Sequence, residues 1–219
     1  MSDSVDEIKD FRNEYEFLSN SYLCSLKTFI PALNQDICCA SAEHAFQACK
    51  TMDENAAQLI LDAATPKIAK KLGQQLHLID NWEDIKLGTM TSILRDKFVL
   101  KTDLQIKILL TGTKKLIQGH SDPFWGQTRN GDGENNLGKI LMKIRDEIFM
   151  RDGGVLDILF NFLNAHNLEP ISLRLKAMKS LIQVLIDDKE ELDLSRDDDV
   201  WHPEVFAELE GILKELECR

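Results

Sequence analysis

The sequence predicts a mainly helical α+β fold: a helical domain with a small antiparallel β element near its start and a helical extension at its end. Three observations carry this. Residues 11–40 hold short apolar stretches broken by turn formers, from Ala42 onward apolar residues recur at three- and four-residue steps, and a helix-patterned acidic segment follows Arg151-Asp152-Gly153-Gly154. A chain of 219 residues suits one large domain, or one domain with an appendage.

The elements follow in order. Residues 1–10 are polar and acidic and read as a flexible tail, neither a secretory signal nor a transit peptide. Phe17-Leu18, Tyr22 to Leu26 and Thr28-Phe29-Ile30 read as strand-like stretches, with a turn near 31–36 where Pro31, Asn34 and Asp36 fall, and Ile37-Cys38-Cys39 returning. Helices are predicted over 42–51, 53–63, 66–73, 82–99, 103–118 and 137–150. Ser41 is the N-cap of the first, Thr65-Pro66 supplies N-cap and N1 for the third, and Gly73 stops it. Beyond the Gly-Gly pair, helices are predicted around 155–166, 170–187 and 203–217. The organisation is thus a tail at 1–10, a domain at 11–150 and an acidic helical extension at 151–219, which serves as structural support or as a surface for a protein partner or self-association.

Composition narrows the class. Hydrophobic residues make up 43% and charged residues 29%, as in soluble globular proteins. No apolar run approaches the roughly 20 residues that span a bilayer, so no membrane role is expected. The five cysteines (Cys24, Cys38, Cys39, Cys49, Cys218) form no CxxC pair and read as reduced thiols, which places the protein inside the cell, in cytoplasm or nucleus. The histidines carry no metal-site spacing. The net charge of −11 is uneven, with 16 acidic and 7 basic residues in 152–219. That argues against broad nucleic-acid binding by the whole chain but leaves room for a local basic rim, for which Lys67, Lys70, Lys71, Lys97, Lys101, Lys107, Lys114 and Lys115 are candidates.

Two segments carry chemistry. Ser41 to Lys50 (SAEHAFQACK) sets Glu43, Gln47 and Lys50 at i, i+4 and i+7, one face of a helix. Such a face lines a polar pocket or faces solvent, and the spacing alone serves both. His44 points about 100° away from Glu43 and reads as structural. Residues 120–138 combine Gly, Asn and Asp with Trp125 and Arg129, then run into a helix. A glycine-rich loop entering a helix N-terminus offers free N–H groups to an anion, and it is equally a surface turn with Trp125 as a packing anchor.

The order and spacing of these and other segments resemble the NADAR family, also called YbiA-like. The resemblance runs from about Phe11 to Ile148. It rests on Phe17-Leu18-Ser19-Asn20, Ala42 to Lys50, Thr65-Pro66-Lys67 through Gly73, Trp82, Lys86, Met90, Lys97-Phe98, Leu109 to Gly112, Asp122 to Gly126, Gly131-Asp132-Gly133 and Asn136 to Arg145. The resemblance implies a largely helical fold with a small β element. It also implies N-glycosidase activity, either on phosphorylated ribosylamino-pyrimidine intermediates of riboflavin synthesis or in removing ADP-ribose from guanine in nucleic acid. Gln118 stands where family members commonly carry Glu, and Gln74 where a basic residue is frequent.

Cleaving a ribose–base bond builds positive charge at C1′ and needs a carboxylate nearby, a proton for the leaving base and a nucleophile. Glu43 and Asp122 are the carboxylate candidates. Lys50 is the candidate nucleophile, able to form an imine once a partly desolvated pocket lowers its pKa. Alternatively it pairs with Glu43 or contacts phosphate. For substrate binding, Ser19 and Asn20 are candidates for ribose hydroxyls, Trp125 for stacking on a base, and Gln47, Arg129, Asn136 and Gly138 for the remaining polar and phosphate contacts, with Lys139 either assisting or facing solvent. No metal or redox cofactor is required. The expected partner is ADP-ribosylated guanine in DNA or RNA, or a small ribosyl nucleotide. A binding module without turnover, and an interaction protein working through 152–219, are the alternatives of other classes.

Overall fold

A computed structural model describes residues 7–99, 101–119, 122–128 and 130–151. The tail before Glu7, Arg129, Cys218 and the three helices expected after 152 lie outside the described residues. The chain divides into two compact units. One comprises residues up to 100 together with 115–144, and the other comprises 101–114 together with the chain from Arg145.

The first unit is built around helix α1 (Ala42–Ala48), every residue of which is buried. α1 packs against α2 (Glu54–Leu61), α3 (Pro66–Gly73) and α4 (Trp82–Val99). The caps that the sequence indicated are in place. Ser41 Oγ accepts from the His44 amide, and Thr65 Oγ1 from the Ile68 amide with Pro66 behind it; Asp53 caps α2 in the same way through the Ala56 amide. His44 is sealed inside. Its Nε2 lies 3.0 Å from the Ala63 carbonyl, which can only accept, so Nε2 carries the hydrogen and Nδ1 takes the Ser41 hydroxyl at 2.8 Å. Both ring nitrogens are therefore spent on structure.

Strands β2 (Leu26–Ile30) and β3 (Gln35–Cys39) form the expected antiparallel hairpin, in register from Leu26 opposite Cys39 to Ile30 opposite Gln35. A 3-10 turn over Pro31–Leu33 joins them, closed by Asn34 in the left-handed region at φ 49°. Leu26, Thr28 and Ile30 point inward, and Thr28 Oγ1 donates to Asp96 Oδ2 of α4 at 2.6 Å. Asp96 has its pKa raised, first by burial, against the lowering effect of that hydrogen bond. Cys24, Cys38, Cys39 and Cys49 are free thiols, and burial pushes Cys39 and Cys49 up to about 12.

Three expectations change. Phe17-Leu18 close a 3-10 helix over Asn13–Leu18 and are not strand. The other two concern segments far apart in the chain. The tail does not extend to residue 10, because Glu7–Lys9 form strand β1, pairing in parallel with β4 (Lys115–Ile117) and setting Ile8 opposite Leu116. The helix expected over 103–118 is shorter. α5 covers Thr102–Leu109, Gly112 turns at φ 62°, and the apolar residues that looked like a fourth helical turn are β4. Both errors have one source: the mutual pairing of three-residue strands more than 100 residues apart leaves no local periodicity. α6 (Asn136–Arg151) begins where the glycine-rich loop ends. Among the described residues, no helix is long and apolar enough to cross a membrane, and no group of His, Cys, Asp and Glu could hold a metal ion.

Candidate active site

Seven of the ten residues singled out from the sequence line one cavity of about 310 Å³ in the first unit: Ser19, Asn20, Glu43, Gln47, Lys50, Asp122 and Trp125. The α1 face is therefore a pocket wall rather than a solvated face. Glu43 and Gln47 are buried, at 8% and 3% exposure, and Gln47 Nε2 donates to Glu43 Oε1 at 2.7 Å. α1 ends at Ala48, so Lys50 sits in the turn after it, its amide held by the Gln47 carbonyl at 3.3 Å. Its side chain nevertheless reaches the same cavity.

Lys50 is half-buried, and its pKa is lowered. Burial is the main cause, and Lys70 adds to it, while Glu43 and Glu83 pull the other way. Its ammonium lies 5.6 Å from the centre of the Phe46 ring and 5.8 Å from that of Trp82. Those rings begin an aromatic chain. Phe46 packs on Trp82 with centroids 5.1 Å apart, meets Trp125 edge-on at 5.5 Å, and Trp125 meets Phe124 edge-on at 4.8 Å. Lys86 Nζ caps the chain 3.8 Å above Phe124. Trp125 is thus both a pocket wall and a packing residue.

Asp122 also has two tasks. Its Oδ1 accepts from the amides of Phe124 at 3.0 Å and Trp125 at 3.4 Å, which fixes the turn carrying Trp125 while the carboxylate still faces the cavity. Ser19 Oγ accepts from the Ser21 amide, and the Asn20 carbonyl accepts from the Glu43 amide at 2.9 Å, so the loop is tied to the first turn of α1. Among the described residues, three buried side-chain oxygens have no hydrogen-bond partner: Asn20 Oδ1, Gln47 Oε1 and Gln118 Oε1. All three residues line the cavity. Gln47 Oε1 is pressed against Gly73, where a Cβ would lie 2.0 Å from it. The other two are acceptors suited to a ligand bearing N–H or O–H groups.

The glycine-rich loop is held by hydrogen bonds of its own. Asn136 Nδ2 donates to Glu134 Oε2, and Gly138 lets the Leu116 carbonyl and the Asn135 side chain approach, where a Cβ would lie 2.1 Å from that carbonyl. Neither is among the residues lining the cavity. Asn135, which no sequence pattern marks, organises the loop: at φ 52°, it accepts from the Gln118 amide and donates to the Leu116 carbonyl at 2.8 Å. Lys139 is exposed. Of the rim lysines, Lys70 lines the cavity, whereas Lys97 is wholly buried and is no rim residue. Ser21, Phe46, Gln74, Met90, Gln118 and Leu137 complete the lining. The signal for Phe46 and Met90 was their place in the family segments, and for Gln74 and Gln118 their departure from the family pattern.

Fold and site together define a small helical α+β domain with an amine, a buried carboxylate and an aromatic wall in one pocket. Residues 8–149 match the NADAR domain family, and the chain belongs to that family. N-glycosidase YbiA of Shigella flexneri serotype 5b (strain 8401) is 35% identical over 111 residues, which cover 49% of this chain and 69% of that protein. Riboflavin biosynthesis protein VVA0006 of Vibrio vulnificus (strain YJ016) is 35% identical over 135 residues, 60% of this chain, and the chain spans 35% of that protein's length. The NMR structure of the Escherichia coli protein YbiA shares the fold with a TM-score of 0.58 at 27% identity, over 68% of this chain and 88% of that one.

Proposed function

We propose that this protein is an N-glycosidase that removes ADP-ribose from guanine in nucleic acid, with Lys50 as nucleophile. The observation that carries the reading is the half-buried Lys50 amine, its pKa lowered, in the same cavity as the buried Glu43 carboxylate. Relatives named N-glycosidase supply the class of reaction.

The Lys50 Nζ lone pair attacks C1′ as the C1′–N bond to the base breaks. Glu43 delivers a proton to the departing base nitrogen. The C1′–O4′ bond then opens, its electron pair going to O4′, which takes a proton, and Lys50 is left in an imine with C1′. Water adds to that imine, Lys50 Nζ leaves as the amine, and the ribose recloses. The sum is ADP-ribosylated nucleic acid plus water giving unmodified guanine, still in its strand, plus free ADP-ribose. Glu43 is favoured over Asp122 for the proton work. It is the first carboxylate to influence Lys50, while Asp122 Oδ1 is engaged by two backbone amides. Trp125 offers a face or edge to the base. Asn20 Oδ1 and Gln118 Oε1 accept from ribose hydroxyls or from the N–H groups of the base.

A second reading has its own support: the relative named for riboflavin biosynthesis favours a small phosphorylated ribosylamino-pyrimidine as substrate. The test sets a DNA oligonucleotide carrying ADP-ribosylated guanine beside the free nucleotide, with products followed by mass spectrometry. Loss of the ADP-ribose mass from the oligonucleotide supports the first substrate. Turnover of the free nucleotide alone supports the second, and binding of either without cleavage of a ribose–base bond overturns both in favour of a binding module.

A further inference from the structure

We infer that Lys97 is a positioning residue of this site: from behind the cavity wall it grips the carbonyls of Phe17 and Ser19 and so sets the loop that presents Ser19, Asn20 and Ser21 to the ligand. Its importance for turnover rests on the glycosidase reading; its hold on the loop does not.

Lys97 lies on α4 and has no exposed surface. Its Nζ donates to the Phe17 carbonyl at 2.6 Å and the Ser19 carbonyl at 2.8 Å, and among the described residues no carboxylate forms an ion pair with it. Two carbonyl oxygens that converge beside a buried side chain call for a donor between them. An ammonium supplies several hydrogens at one point, which a hydroxyl or an amide does not. The same Ser19 carbonyl also takes the Tyr22 amide at 3.2 Å, and the Tyr22 ring lies 5.6 Å from the ammonium, so the loop folds around Lys97.

The front of the loop is tied to the chemistry. The Asn20 carbonyl accepts from the Glu43 amide, and Asn20 Nδ2 contacts Met90 Sδ at 3.5 Å. Met90 and Lys97 are seven residues apart on α4, two helical turns along one face. One face of α4 thus holds the loop at two points, while the first turn of α1, which carries Glu43, holds it at a third. Ser19, Asn20 and Ser21 all line the cavity, and Lys97 does not. Lys97 therefore acts on the ligand through the loop.

The test is Lys97→Met, close in length and without donors. With the fold verified by circular dichroism, kcat/KM is expected to fall roughly 10- to 100-fold, mainly through KM, as for residues that orient others. In an Asn20→Ala background the same substitution should cost less than about two-fold more, because the loop contact that it supports is already gone. Independently of turnover, the Tyr22 and Glu43 amides, both bonded to loop carbonyls, should exchange with solvent at least about ten-fold faster, while amides within α4 hold. If Lys97→Met does not fold, Lys97→Gln retains one donor group and should show the same effects at smaller size. A variant that melts earlier, but keeps its KM and the exchange of those two amides, overturns the inference and leaves Lys97 a structural core residue. Additive losses in the Asn20→Ala background overturn it as well. If the wild-type protein turns over neither substrate, the glycosidase reading fails, and amide exchange still decides the role of Lys97.

Discussion

Lys50 and Lys97 occupy two regions of the same unit that look alike by charge and differ in access. Both ammonium groups are drawn out of water, and burial is the main cause of the lowered pKa at each, to about 8 at Lys97. Around Lys97 the protein closes completely, and two backbone carbonyls take its hydrogens. Around Lys50 the protein leaves a cavity, sets a buried carboxylate and a second lysine nearby and walls it with aromatic rings. A lowered pKa is therefore not sufficient for a nucleophile. The amine must also keep its lone pair free and face the space where a substrate sits.

The largest effect is expected at Lys50. Lys50→Ala should reduce kcat by about 10³-fold or more, the scale expected when an attacking group is removed; steady-state turnover of the modified oligonucleotide measures it. A loss of only a few fold would demote Lys50 to a phosphate contact.

Lys97 should show itself in stability instead. Below pH 8 the folded and unfolded states both hold its proton. Between about 8 and the ordinary lysine value of 10.5 the folded state has lost a proton that the unfolded chain keeps, so stability rises with pH across that window. The gain is on the order of 3 kcal/mol. Urea unfolding of wild type and Lys97→Met between pH 7 and 11 checks it. The variant should lose this part of the pH dependence.

A smaller effect is expected at Gly73. A Cβ there would meet Gln47 Oε1 at 2.0 Å, so Gly73→Ala should destabilise by about 1–3 kcal/mol and lower the melting temperature by several degrees. Gln47→Ala should relieve most of that loss.

The smallest effect sharpens the Lys50 side. Lys70 lowers the pKa of Lys50, so Lys70→Met should move the acidic limb of the kcat/KM profile toward higher pH. Glu43 raises it, so any activity left in Glu43→Gln should show the limb displaced toward lower pH.

Much of this was legible in the sequence, for a physical reason. Ser41 and Thr65 cap by bonding amides three residues on, and Glu43 and Gln47 share a face through helical repeat. Such relations are local. Gly73 ends α3 as its position in the sequence indicated, and it also admits Gln47, a contact between helices that no local pattern shows. Lys97 looked like any surface lysine because its partners, Phe17 and Ser19, lie about 80 residues away. β1 and β4 each have three residues, too few for a period, and are strands only because they find each other. Asn135 lies in a run of polar loop residues, yet it is 3% exposed and bonds Leu116 in the middle of β4 and Gln118 just after the strand.

The most direct test of the central proposal is reductive trapping. The protein is incubated with ADP-ribosylated oligonucleotide in the presence of borohydride, digested, and mapped by mass spectrometry. A stable ADP-ribosyl adduct is expected on Lys50 Nζ, formed only with substrate and absent from Lys50→Ala. Full turnover with no adduct at Lys50, and with Lys50→Ala equally active, would contradict the proposal.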